Sequence, residues 1–233
     1  KFYNVDSDEF NLIGITGTDG KTTTSTVIAQ LIDDMACIGT NGLIIGDEYF
    51  PTNNTTPCIS ELYKSFDVIK RHNCKDVVME VSSESLMHNR IKKFKYDVVC
   101  FTNITEDHLN IHKTIENYRN CKFSLLNYLK DDGFIVINGD DNNCKLIDKD
   151  NVYKVGVNFD NDFVICDVKE MSKFVKFSIV EKNKKYIIKS PLLGLYNVYN
   201  VAMAFVICLF KGVDSNLLIS AIKDLAVVEG RGE

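Results

Sequence analysis

A glycine–lysine turn constrains this chain more than any other feature. Residues 11–15 are short and apolar, Gly17, Thr18, Asp19, Gly20, Lys21 and Thr22 follow, and residues 21–33 set Val27, Ile28, Leu31 and Ile32 on one helical stripe. Strand, glycine turn and helix in that order make a phosphate-binding unit. The glycines let the chain turn tightly, so that backbone N–H groups converge on phosphate oxygens, and the helix N-terminus adds its dipole. In such a loop Lys21 reaches the β- and γ-phosphates of a nucleotide and the Thr22 hydroxyl reaches Mg²⁺, with Gly17, Thr18, Asp19, Gly20 and Thr23 completing the cradle. The strict pattern has glycine where Ile15 stands, so this loop is a shortened form. A glycine turn capping an ordinary helix is the bland alternative, and the strand before the loop speaks against it.

The remaining pattern gives the fold class. Residues 76–81, 96–101 and 134–138 read as buried strands, and 61–71 and 114–129 as helices between them. Alternating strands and helices imply α/β architecture: a P-loop-containing, mostly parallel sheet flanked by helices. From about 152 to 190 the pattern changes to short strands at 152–157, 163–168, 174–180 and 186–190, with a hairpin tip at 181–185, as expected of a small antiparallel β sheet at one side. Residues 197–210 and 215–225 return to helix. The whole of 1–233 reads as one ATP-binding-type domain.

With a net charge of −5 over 233 residues, the chain is a poor general binder of nucleic acid or anionic membrane. It has no apolar run of about 18 residues that would span a bilayer. Its eight cysteines form no CxxC pair and sit mostly among apolar neighbours, as expected of reduced thiols in a cytoplasmic protein. A monomer is expected.

Several residues stand out by type and place. Glu80 ends an apolar strand, where a carboxylate faces the ligand crevice of a parallel sheet, and it is a hard donor of the kind Mg²⁺ prefers. His108 follows Asp107, which would orient its ring. His112 is spaced from it like a metal ligand on a helix but reads better as structural. Thr55 and Thr56 precede Pro57, Asn138 sits in a turn, and Asn197 and Asn200 open a helix. Lys122 reads from the sequence alone as a surface lysine.

Six segments in order carry a resemblance: GITGTDGKTTT at 14–24, Thr55-Thr56-Pro57, MEVSSESLMHNRI at 79–91, FTNITEDHLNIH at 101–112, GLYNVYN at 194–200 and EGRGE at 229–233. Together they resemble the central ATPase domain of the Mur ligases, and most of all the branch that adds the third residue of the peptidoglycan stem to UDP-MurNAc-dipeptide. The resemblance implies that ATP phosphorylates a carboxylate, an amino acid's amine attacks the acyl phosphate, and phosphate leaves. It implies two Mg²⁺ ions, held by Thr22, Glu80, His108 and Lys122, the last as a CO₂-derived carbamate. Lys21, Glu80, His108 and Lys122 are then the catalytic set. Asn197, Asn200 and Arg231 join the loop in binding ATP, while Thr55, Thr56, Ser83 and Arg90 meet the muramoyl substrate.

Two departures fall in the substrate run. Glu84 stands where His or Ala is common, and His88 where Gln is usual. The N-terminal uridine-binding and C-terminal amino-acid-binding domains of the family have no counterpart in 1–233, so a fragment that binds ATP weakly without turnover is expected. A folylpolyglutamate or cyanophycin synthetase-like ligase and a non-catalytic nucleotide-binding subunit are the competing readings. The Thr-Thr-Pro triplet disfavours the first, and the set Glu80, His108 and Lys122 the second.

Overall fold

The computed structural model describes residues 5–226. The chain opens with β1 (Asn11–Thr16), α1 (Lys21–Leu31), β2 (Ala36–Gly39), β3 (Gly42–Ile45), β4 (Glu48–Phe50), α2 (Ile59–Arg71) and β5 (Asp76–Glu80). It continues with α3 (Ser83–Met87), β6 (Tyr96–Phe101), α4 (Leu109–His112), α5 (Ile115–Phe123) and β7 (Leu129–Asn138). The last part holds β8 (Val152–Gly156), β9 (Phe163–Glu170), β10 (Val175–Glu181), β11 (Lys184–Ser190), α6 (Leu195–Phe210) and α7 (Ser215–Ala221).

The strands form one 11-stranded sheet in the order β11-β10-β9-β8-β7-β6-β1-β5-β2-β3-β4. From β9 through β2 neighbours run parallel, and antiparallel pairs close both ends. The α/β reading therefore holds, with two changes. The strand expected at 152–157 pairs parallel to β7, so the antiparallel part begins only at the β9–β10 pair and continues the main sheet rather than standing beside it. The β2–β4 meander was not expected, because its strands are too short for a two-residue period to register. The helix expected to reach 129 ends at Phe123, where Ser124 Oγ donates to Cys121 O at 2.6 Å and a 3₁₀ turn leads into β7.

Period-two alternation explains the layers. Ile13 and Ile15 face one core with Val78, Val98, Cys100 and Val136, covered by α1 and α6. Leu12 faces the other with Val77, Met79, Val99, Phe101 and Ile135, covered by α2 and Phe94. Helix α6 is buried at every position from Asn200 to Cys208, which accounts for its almost wholly apolar sequence. All eight cysteines are free, and five of them are buried. Among the described residues no helix is long and apolar enough to cross a membrane. The parallel strands β1, β2, β5, β6 and β7 all end at the same edge of the sheet. The order in which strands are added switches sides at β1, between β5 and β6, the place where α/β sheets bind ligands.

Candidate functional site

The glycine turn follows β1 at that edge. Ile15 is fully buried in β1, paired with Glu80 and Cys100, which shows why no glycine is needed there: the strand continues to Thr16. Gly20 caps α1 at φ 80°, and a Cβ on it would overlap the Asn200 amide. A Cβ on Gly17 would overlap the Thr102 hydroxyl.

The loop is clamped by the segment after β6. Thr18 N–H donates to Asn103 O at 2.9 Å and Asp19 N–H to Asn103 Oδ1 at 2.9 Å, while Asn103 Nδ2 donates to Asp19 O at 3.1 Å. Thr102 Oγ1 adds a bond to Asp19 O at 2.5 Å, and Thr105 N–H donates to Thr18 Oγ1 at 3.0 Å. The amides of Thr18 and Asp19, expected in the phosphate cradle, are thus taken by Asn103. The first turn of α1, which includes Thr22 and Thr23, has N–H groups with no intrahelical acceptor. Asn103 and Thr102 escaped the sequence reading, although they lie inside the FTNITEDH run.

Glu80 stands beside the loop on β5, only 1% exposed. Thr22 Oγ1 donates to its Oε2 at 3.0 Å, Thr40 N–H to Oε1 at 2.8 Å and Thr40 Oγ1 to Oε2 at 3.2 Å. Burial raises its pKa above the usual carboxylate range, against the opposing pull of these donors and of Lys21. Thr40 was not singled out from the sequence. It reaches Glu80 only because β2 pairs with β5, Ile38 opposite Met79. Gly39 is small for the same reason: a Cβ there would overlap the Glu80 carboxylate.

On the other side of Lys21 lies a cavity of about 180 Å³ lined by Lys21, Asn54, Thr55, Ser82, Ser83, Glu84, Arg90, His108, Tyr118 and Lys122. Lys21 Nζ donates to Gly17 O at 2.9 Å and Thr18 O at 2.8 Å. Lys122 is no surface residue. It is 1% exposed, donates to Gly17 O at 2.7 Å and lies 4.5 Å from the Tyr118 ring centroid. Burial, aided by the charge of Lys21, lowers its pKa to about 7. His108 is in the left-handed region at φ 52° with its side chain half exposed. Asp107 flanks the ring, Oδ2 to Nε2 at 3.4 Å, and accepts the His108 N–H at 2.8 Å.

The substrate-run residues divide. Thr55, Ser83 and Arg90 line the cavity. Thr56 is fully buried behind it: its hydroxyl donates to Glu80 O at 2.8 Å and accepts from Ser82 N–H at 2.9 Å, while Arg90 Nη1 donates to Thr56 O at 3.1 Å. Thr56 therefore ties its loop to the end of β5. Thr56→Val keeps the shape but orphans two backbone groups, and is expected to lower stability by about 2 kcal/mol in urea unfolding. His112 is buried, 3.1 Å from Ser83 Oγ and 5.1 Å from the Tyr118 ring, and burial lowers its pKa.

A larger cavity of about 530 Å³ opens across the loop, lined by Asp19, Gly20, Thr102, Asn103, Asn138, Asp140, Tyr196, Tyr199 and Asn200 among others. Asn200 lines it, while Asn197 stands behind, bonded to Leu193 O at 2.7 Å and to Asn200 Nδ2 at 3.3 Å. Asn138 Oδ1 accepts from Asp140 N–H at 3.0 Å. Asp140 in turn accepts from Tyr199 OH at 2.7 Å and Val157 N–H at 2.6 Å, pinning α6 to the end of β8, and these donors outweigh burial to lower its pKa. Arg231 lies outside the described residues.

The profile of the Mur ligase middle domain matches residues 15–208. The chain is 36% identical, over its full length and 50% of the relative's, to the UDP-N-acetylmuramoyl-L-alanyl-D-glutamate--2,6-diaminopimelate ligase of Bacillus cereus. It is 32% identical, over 100% of its length and 49% of the relative's, to the corresponding L-lysine ligase of Staphylococcus epidermidis. A solved UDP-N-acetylmuramoyl-L-alanyl-D-glutamate--2,6-diaminopimelate ligase superposes with a TM-score of 0.87 at 28% identity, over 95% of this chain and 47% of that one. The chain thus spans about half the length of the curated relatives it matches.

Proposed function

The chain belongs to the Mur ligase family, of which it is a middle domain, and from that premise we propose that it is the ATP-binding core of a ligase of peptidoglycan precursor synthesis. The reaction is addition of a diamino acid to UDP-MurNAc-L-Ala-D-Glu through an acyl phosphate. One observation carries the reading: two cavities of different character meet at one phosphate loop. The larger has polar and aromatic walls suited to a nucleoside. The smaller gathers Lys21, Arg90, His108 and Lys122, suited to a carboxylate and the phosphoryl group it receives.

The residues then take these tasks. The first turn of α1 and Lys21 hold the phosphates. Thr55, Ser83 and Arg90 orient the acceptor carboxylate. Thr22 and Glu80 offer adjacent hard oxygen donors, 3.0 Å apart, a set that fits Mg²⁺. Bound there, the ion supplies charge neutralisation between the phosphates and the carboxylate. His108 and Lys122 share the smaller cavity, and an amine with a pKa of about 7 is the neutral nucleophile that adds CO₂. A carbamate on Lys122 would give His108 an anionic oxygen partner for the other Mg²⁺.

The test is phosphate release by the full-length enzyme. With ATP, Mg²⁺, a diamino acid and UDP-MurNAc-L-Ala-D-Glu, turnover is expected, and none with a folate in place of the muramoyl dipeptide. The isolated 233-residue chain is expected to bind MgATP without ligating. Release with the folate alone would overturn the muramoyl assignment.

A further inference from the structure

Glu84 has no task in this scheme. It stands on the first turn of α3, half-buried, and among the described residues is the one acidic residue lining the 180 Å³ cavity. Its carboxylate makes no hydrogen bond and no ion pair among the described residues, and its charge acts on the His112 ring. The other candidate bases nearby are engaged: Glu80 is buried under Thr22 and Thr40, His112 Nε2 lies against Ser83 Oγ, and Asp107 is held by the ring and N–H of His108. An open carboxylate among Lys21, Arg90, His108 and Lys122 repels two of the three reactants, the nucleotide phosphates and the acceptor carboxylate. It attracts only the third, the amine, which reaches the site as an ammonium ion.

We infer that Glu84 receives the incoming amine and takes a proton from it during amide formation. The inference rests on the ligase reading and adds to it the group that handles the nucleophile. The ammonium loses one proton to water, freeing its lone pair. The nitrogen attacks the acyl phosphate carbon, forming the C–N bond and a tetrahedral adduct with positive nitrogen and negative oxygen. The second proton passes from nitrogen to the Glu84 carboxylate. The oxyanion then re-forms C=O as the C–O bond to phosphate breaks, and phosphate leaves with the electron pair. A general base placed this way contributes roughly 100-fold or more.

The experiment compares two nucleophiles in the full-length enzyme. A diamino acid arrives charged; hydroxylamine is uncharged at neutral pH, needs no anion to hold it, and traps the acyl phosphate as a hydroxamate. Glu84→Gln is expected to cut amide formation roughly 100-fold, raise the KM for the diamino acid, and cut hydroxamate formation far less, because the nitrogen of the hydroxylamine adduct is acidic enough to lose its proton to water. Glu84→Asp, which keeps the charge, is expected to restore part of the amide rate. Unchanged amide formation in Glu84→Gln would overturn the inference. So would an equal loss with both nucleophiles, or a rise confined to the KM for the muramoyl dipeptide, since each places Glu84 on the acyl side. No hydroxamate from the unaltered enzyme would overturn the ligase reading itself and this inference with it.

Discussion

Replacing Lys122 by methionine is expected to stabilise this domain and to stop ligation in the full-length enzyme. The lysine is 1% exposed and forms no ion pair among the described residues, Asp107 acting on it only through its charge. Among the described residues its Nζ has one hydrogen bond, to Gly17 O, and the face of Tyr118. Burial and the neighbouring Lys21 hold its pKa at about 7, below the ordinary 10.5. The folded state therefore binds fewer protons than the unfolded state between those values, and stability falls as pH drops from about 10 towards 7. Methionine matches the stem without the charge. Gly17 O keeps its bond from Lys21 at 2.9 Å, so no acceptor is orphaned. Exchange of a buried charge for an apolar group of similar volume stabilises by about 1–4 kcal/mol. In urea unfolding of the two proteins in CO₂-free buffer, the gain should be largest below about pH 7 and shrink towards pH 10. Ligation should fall by more than about 100-fold, because methionine cannot carry a carbamate. A variant that ligates normally would sink the carbamate assignment. One that is less stable at neutral pH would show that the ammonium is better compensated than its contacts indicate.

That cost separates what the sequence could show from what it could not. The phosphate loop was legible because glycine, lysine and threonine are needed at fixed offsets after a strand. Glu80 was legible because a carboxylate ending an apolar strand has few bland explanations. Both are local signals. Thr40 was invisible, because its partner lies 40 residues away and is brought near only by the parallel pairing of β2 with β5. Asn103 was invisible for the same reason: it clamps the loop across β6 and β1, which are neighbours in the sheet and far apart in the chain. Lys122 was misleading in isolation, since a helix lysine is nearly always solvated, and only the family resemblance marked it out. Thr56 was marked as a substrate contact, while its hydroxyl serves the backbone of residues 80 and 82. The sheet itself followed from buried apolar runs set between helices, wherever those runs were long enough to stand out. It failed at β2–β4, where four residues or fewer per strand leave no period to read.

Glu80→Gln is expected to abolish the Mg²⁺-dependent part of nucleotide binding while sparing the fold. Glu80 is the mirror of Lys122: a buried anion whose pKa is raised by burial despite the hydrogen bonds it accepts. A raised carboxylate pKa means that stability is greatest below the ordinary carboxylate range and is lost as pH rises through the folded value, so the ionised form weighs against folding. Glutamine removes that charge. Its carbonyl oxygen keeps the 2.8 Å bond from Thr40 N–H, and the hydroxyls of Thr22 and Thr40 can rotate to accept from its amide. Stability should therefore stay level or rise. The proposed metal site would lose its anionic donor beside Thr22, and a neutral amide oxygen is a much poorer ligand for Mg²⁺. By titration calorimetry, affinity for ADP with Mg²⁺ should fall by about 10- to 100-fold, roughly 1.4–2.8 kcal/mol. Affinity for ADP in chelator should be unchanged. Equal weakening in both conditions would show that Glu80 shapes the loop rather than binding metal. Gly39→Ala provides a second route to the same site, since its Cβ would press on the carboxylate without altering any donor. If Glu80 must point at Thr22 for the metal to bind, this variant should lose the same Mg²⁺-dependent affinity with its charge intact.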